Sequence, residues 1–132
     1  MPIDFPPYEV LYVSNFAPGQ PLSSIAAIAA RSRTTNASRG ITGLLVFDGL
    51  RFCQQLEGRQ ENVLPLVERI RQDPRHTDVA VLHHGPLAKR RFRNFSLAFS
   101  TLEEADALER LRELKGTAAV AAFKALPIEL EM

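Results

Sequence analysis

The chain has no tryptophan and a single cysteine, Cys53. One thiol forbids an intrachain disulfide and leaves a reducing compartment permitted. There are three histidines: His76, His83 and His84 show no H-x-x-x-H spacing, and adjacent strand residues face opposite sides, so a metal site is not expected. Excess charge of either sign is missing too. Sixteen basic against 15 acidic side chains give a net +1, so no global field draws the protein to nucleic acid or anionic lipid. No apolar run approaches the ~18 residues of a spanning helix. The start, "MPIDFPPYEV", carries an acid and three prolines instead of a basic and then apolar leader. No G-x-S-x-G, P-loop or G-x-G-x-x-G is present, which removes the common hydrolase, phosphate-loop and dinucleotide signatures. The expectation is a soluble, cytoplasmic protein with neither membrane nor nucleic acid as partner.

What is present suits one globular domain: 132 residues, 45% hydrophobic and 23% charged, enough to bury roughly two-thirds of the unfolded surface. "YEVLYVS" (8–14) alternates, with Val10, Tyr12 and Ser14 on one face and Leu11 and Val13 on the other. Ser23 is a candidate N-cap for a helix to about Arg33, in which Ile25, Ile28, Ala29 and Ser32 share a face. "RTTNASRG" reads as a polar connection. "ITGLLVF" and "RFCQQLEG" are strands joined by a hairpin at "DGL", because Asp-Gly accepts positive φ. A second helix spans about Glu61 to Gln72, with Val63, Leu66, Val67 and Ile70 on one face, and Asp73-Pro74 ends it. "TDVAVLHH" (77–84) and "FSLAFS" (95–100) are two further strands around the basic loop "KRRFRN". Thr101 and Glu104 form a capping box for a helix to Lys115 stopped by Gly116, and a last helix runs from about Thr117 to Leu126.

The order β-α-β-β-α-β-β with two trailing helices predicts an α+β, ferredoxin-like sandwich: two helices over one face of a five-stranded mixed sheet. The helices would leave a groove between Ile28 and Ile70. The other face needs cover, from the C-terminal helices or from a second chain. The organisation expected is a domain over 8–100 and a helical extension over 101–132 that packs on the sheet.

One strand position stands out. Phe52, Gln54 and Leu56 point to the same face, so a buried face would hold an amide among apolar side chains, and an unpaired one costs about 1–3 kcal/mol. Tyr12, mid-strand, reads first as a half-buried aromatic, and Asn36, past the first helix, as a turn residue. Together with Gln54 they are three hydrogen-bonding side chains that can converge at one end of the groove. "KRRFR" (89–93) sets four cations around Phe92. The aromatic signature of RNA-recognition strands is absent, and a solvated loop is the better reading.

"NASRGITGLLVFDGLRFCQQLEG" (36–58) closely resembles the core motif of the BLUF family, blue-light sensors using FAD: an asparagine, then G-I-T-G-L-L, a hairpin and F-x-Q-x-L-E-G. "LYVS" is similar to the family's first strand, "DPRH" (73–76) to the stretch after its second helix, and "FSLAF" to its fifth strand. The resemblance spans about residues 8 to 100. It implies FAD as cofactor, Tyr12 as the photoactive tyrosine and Gln54 as the glutamine between it and the flavin. It further implies Asn36 on the pyrimidine edge of the ring, Ile28 and Ile70 flanking it, and Arg69, Asp73 and His76 at its polar periphery. In strand five Phe95 and Leu97 stand where many relatives carry tryptophan and methionine, the positions of signal relay. Thr35 stands where relatives often carry a larger polar residue.

The resemblance implies a non-enzymatic photoreceptor. Light drives an electron and proton from the tyrosine to the flavin, and a rearranged Gln54 amide persists and switches a separate signalling partner. Because an amide has a donor end and an acceptor end, reversing it rewrites a hydrogen-bond network with little movement. A homo-oligomer is expected, most simply a twofold dimer. The alternatives are a ferredoxin-like flavoenzyme with dark redox activity and an RNA-binding module using the basic loop.

Overall fold

The computed structural model describes residues 6–21, 23–100, 107–126 and 128–131, with backbone alone for 96–100 and 128–131. In chain order the elements are β1 (Tyr8–Phe16), α1 (Ser23–Ser38), β2 (Thr42–Phe47), β3 (Arg51–Gly58), α2 (Gln60–Gln72) and β4 (His76–Pro86). There follow β5 (Phe95–Ser100), α3 (Ala107–Leu111), α4 (Gly116–Lys124) and β6 (Ile128–Glu131). The architecture is α+β. One sheet runs β4-β1-β3-β2-β5-β6. Its first four strands each run antiparallel to their neighbours, β5 joins parallel to β2, and β6 closes antiparallel on β5.

Among the described residues the sheet therefore has six strands, not the five expected. β6 lies in "IELE", whose alternation follows Pro127 and is only four residues long.

The β2–β3 hairpin forms as its sequence dictates. Asp48 Oδ1 accepts from Leu50 N at 2.9 Å and Arg51 N at 2.7 Å, while Gly49 takes φ +99°, an Asx-type turn that glycine alone completes without strain. Gly43, on β2, is needed for another reason. A Cβ there would run into the backbone carbonyl oxygen of Gln55 on β3, so no larger residue permits this approach of the strands.

α1 continues five residues beyond the expected end at Arg33, so "TTNAS" is helical and Asn36 sits inside α1, not past it. Threonine, serine and asparagine usually favour turns because their side chains compete for backbone bonds. Here that competition is turned back on the helix: Thr34 Oγ1 donates to Ala30 O at 3.3 Å and Ser38 Oγ to Thr35 O at 2.7 Å. The Asn36 carbonyl then accepts from Arg39 N and Ile41 N and hands the chain to β2. α3 is shorter than expected. Past Leu111 the backbone tightens into i→i−3 bonds, Arg112 N to Glu109 O and Leu114 N to Leu111 O, so the helix does not reach Lys115. Gly116, at φ +61°, opens α4 instead of stopping α3. The expected capping box at Thr101 and Glu104 lies outside the described residues.

The sheet is buried on both sides. On one face Val10, Tyr12, Phe52 and Leu56 pack with Ile25, Ile28 and Ala29 of α1 and Val63 and Val67 of α2. On the other, Leu11, Val13, Val46 and Cys53 pack with Leu108 and Leu111 of α3 and Ala119, Val120 and Phe123 of α4. No helix among the described residues is long and apolar enough to cross a membrane.

Candidate functional site

Between α1, α2 and the sheet lies a cavity of about 500 Å³. Eight residues singled out in the sequence line it: Tyr12, Ile28, Asn36, Gln54, Arg69, Ile70, Asp73 and His76. Thr35 does as well. Strand register explains the central pair. Tyr12 of β1 stands directly opposite Gln54 of β3, so both side chains rise from one face, and the Tyr12 hydroxyl donates to Gln54 Oε1. Gln54 is only 4% exposed and Tyr12 is fully buried. Burial, with the Asp73 carboxylate and Cys53 adding to it, pushes the Tyr12 hydroxyl far above its usual range. It is a proton-bearing donor at every physiological pH.

Three further features define what the cavity can hold. Asn36 is 1% exposed, yet its Nδ2 has no partner; a buried amide donor left open at a cavity wall is suited to a carbonyl that enters the space. Ile28, Leu66, Ile70 and Leu45 make apolar walls. Arg31, Arg39 and Arg69 supply cations, and Arg39 Nη1 is itself buried without a hydrogen-bond partner. A flat, apolar ring with carbonyl edges and an anionic tail meets each requirement, and a flavin has that chemistry.

Beneath the cavity the polar floor is ordered. Arg75 clamps Asp73 through bonds at 2.6, 3.0 and 3.2 Å, holding the carboxyl below its usual range. His76 bonds Ser14 Oγ at 2.9 Å through Nδ1 and packs 4.7 Å from the Phe52 ring. Its burial lowers its pKa to about 4, against the pull of Asp73, so it is neutral at pH 7.

Phe95 is not part of this cavity. It is buried in the same core but lines a separate cleft on the far flank of α1. The side chain of Leu97 lies outside the described residues; its backbone pairs with Leu45, a cavity residue. Sequence reading missed Arg31 and Arg39. Their signal is the stripe 28, 31, 32, 35, 36, 39, visible only if the helix is carried past Arg33. His83 and His84 diverge, to Glu9 at 3.2 Å and Tyr8 at 2.6 Å.

The family model "Sensors of blue-light using FAD" matches residues 8–98. The chain is 40% identical over 79 residues to the photoactivated adenylate cyclase subunit beta of Euglena gracilis, covering 60% of this chain and 9% of that protein; it thus spans a small part of such relatives. Among solved structures, the dark state of the BLUF protein BlrB superposes with TM-score 0.72 at 30% identity, over 89% of this chain and 92% of that one. Klebsiella pneumoniae BlrP1 with FMN and cyclic diGMP superposes with TM-score 0.69 at 37% identity, over 79% of this chain and 29% of that one.

Proposed function

The chain belongs to the BLUF family of blue-light sensors using FAD, and we propose that Tyr12 and Gln54 are the pair through which it reads light. The observation that carries this reading is the buried hydrogen bond from the Tyr12 hydroxyl to Gln54 Oε1 at the wall of the cavity. A bound flavin supplies blue-light absorption and the capacity to take up an electron and a proton. The chain's own residues do the rest. Tyr12 holds the proton at Oη until it is drawn away. Gln54 is the two-ended group: with Oε1 toward Tyr12 it accepts, and with the amide reversed or tautomerised it donates from nitrogen. Ile28 and Ile70 exclude water, Asn36 Nδ2 fixes the ring edge, and Arg69, Asp73 and His76 border its polar side.

FAD is the form proposed, because Arg31, Arg39 and Arg69 offer more positive charge than a single phosphate requires; mass spectrometry of the released cofactor decides between FAD and FMN. The switch consumes no substrate, and its output passes through β5, where Leu97 pairs with Leu45, to a separate protein. A homo-oligomer is the proposed working unit, with Leu50, 66% exposed, among the surfaces open to contact. Sedimentation that finds a monomer in both dark and light would remove that last element.

Gln54→Leu should keep yellow flavin and fold but lose the reversible, light-induced red shift entirely. Tyr12→Phe should do the same, since only a hydroxyl is removed. A normal shift in either variant overturns the assignment. A flavin bleached in darkness by a nicotinamide donor would instead favour a dark redox flavoenzyme.

A further inference from the structure

His76 reaches the cavity floor against the rhythm of its own strand. On β4, Val79 and Val81 pack with the cavity-side core and Ala80 with the core on the other face. Unbroken alternation would turn Thr77 to the cavity and His76 away from it. The register breaks first. Thr77 pairs with Asn15 and Ala80 with Val13, so Asp78 and Val79 together span the one residue Ser14. This is a β-bulge, and one extra residue moves every side chain beyond it to the opposite face. His76 therefore stands across from Phe16 and bonds Ser14 on the cavity side.

The bulge is strained, and it is clamped. Asp78 takes φ +51°, the left-handed conformation that glycine ordinarily supplies at this position of a bulge. A side chain from the far layer holds it there. Arg112, in the turn after α3, donates from Nη1 to the Asp78 carbonyl at 2.8 Å and from Nη2 to Asn15 Oδ1 at 3.1 Å. Asn15 Nδ2 in turn donates to Asp78 Oδ2 at 3.2 Å. The Arg112 side chain is only 22% exposed, and Glu109 lies between it and Arg51, at 3.8 and 2.7 Å. A planar guanidinium spans two acceptors in one fixed geometry, so the fork sets where the extra residue sits.

We infer that Arg112 is a positioning residue for the flavin cavity: it fixes the Asp78 bulge from the α3–α4 side of the sheet, and the bulge turns His76 into the cavity on the other side. This role rests on flavin as the occupant of the cavity. It gives the helical layer a part in building the site, besides covering the sheet. Strain at Asp78 supplies the reason. Without the guanidinium the left-handed residue relaxes, the extra residue passes along β4, and His76 swings away from Ser14. Asp78→Gly removes the strain, so the bulge then persists with or without Arg112.

Nuclear Overhauser spectra of the flavin-loaded chain in darkness test this, flavin content being read first by absorbance. The parent should show contact between the His76 and Phe52 rings, whose centres lie 4.7 Å apart. Arg112→Gln should lose that contact and shift the flavin absorption band, and Arg112→Gln combined with Asp78→Gly should regain both. The rescue separates aiming of His76 from mere support of α3, which Asp78→Gly does not supply. Contact retained in Arg112→Gln, an unchanged absorption band, a loss that Asp78→Gly does not repair, or a fold lost and not recovered in the double variant would each overturn the role of Arg112. A parent chain that takes up no flavin overturns the reading of the cavity itself, and the role with it.

Discussion

Gln54 and Gln55 are neighbours on β3 and both are buried, yet they live in different chemistry. Gln54 projects to the α1/α2 face, bonds one tyrosine and borders open space. Gln55 projects to the face covered by α3 and α4, where its Nε2 donates to Glu9 at 2.8 Å and to Glu57 at 3.3 Å. Arg91 completes that second cluster, 2.6 Å from Glu9 and 3.8 Å from Glu57, with His83 3.2 Å from Glu9. Burial would raise the Glu9 carboxyl, but bonds from Arg91, Gln55 and His83 outweigh it and hold the group below its usual range. The lesson is that one strand carries a polar group kept adjustable on one side and a polar group kept locked on the other. A single amide with a cavity beside it can turn; an amide between two carboxylates and an arginine cannot.

The contrast yields a hierarchy of effects. Arg91→Ala should be the most damaging to stability, because it leaves two buried carboxylates facing each other; a loss of roughly 3 kcal/mol is expected from breaking such a cluster, read by urea denaturation. Retained stability would mean that the cluster is not locked. Gln55→Leu should cost less, about 1.5 kcal/mol, since it removes two donors to charged acceptors but also an amide oxygen that has no partner. Its light-induced spectral shift should stay normal, opposite to Gln54→Leu, and a lost shift would erase the distinction between the faces. The charge state of His76 has the smallest effect at pH 7 and a growing one as the pH falls. Its folded pKa, about 4, lies below the ordinary 6.5, so the unfolded chain binds the proton first. Stability contributed by the neutral ring is complete above pH 6.5 and declines as pH falls toward 4. In His76→Gln, denaturation midpoints at pH 7 and pH 4.5 should lie closer together than in the parent chain; an unchanged gap would assign the acid sensitivity elsewhere.

The adjustable side was far more legible in the sequence than the locked one. Period-two alternation alone put Gln54 between Phe52 and Leu56 on a core face, and helical spacing put Ile28 and Ile70 opposite each other. Gln55 and Glu57 follow the same alternation on the face whose cover the sequence leaves open between the C-terminal helices and a second chain, and nothing in it brings the basic loop onto Glu57. A cross-strand clue existed, because Glu9 pairs directly with Glu57, and like charges in that relation require a cation between them. It needs the register, which sequence periodicity does not supply. The end of α1 was hidden by residues whose turn preference the fold overrides, and β6 by its shortness.

β1 lies inside the sheet, with β3 and β4 on its two sides. Tyr12 pairs with Gln54 on one edge and Val81 on the other, so the strand translated first waits for partners made much later. Closure over such sequence distances is slow compared with helix formation. The cavity floor, from Asp73 to His76, joins β1 only as β4 docks. A site that needs this floor is therefore complete only once β4 has docked on β1.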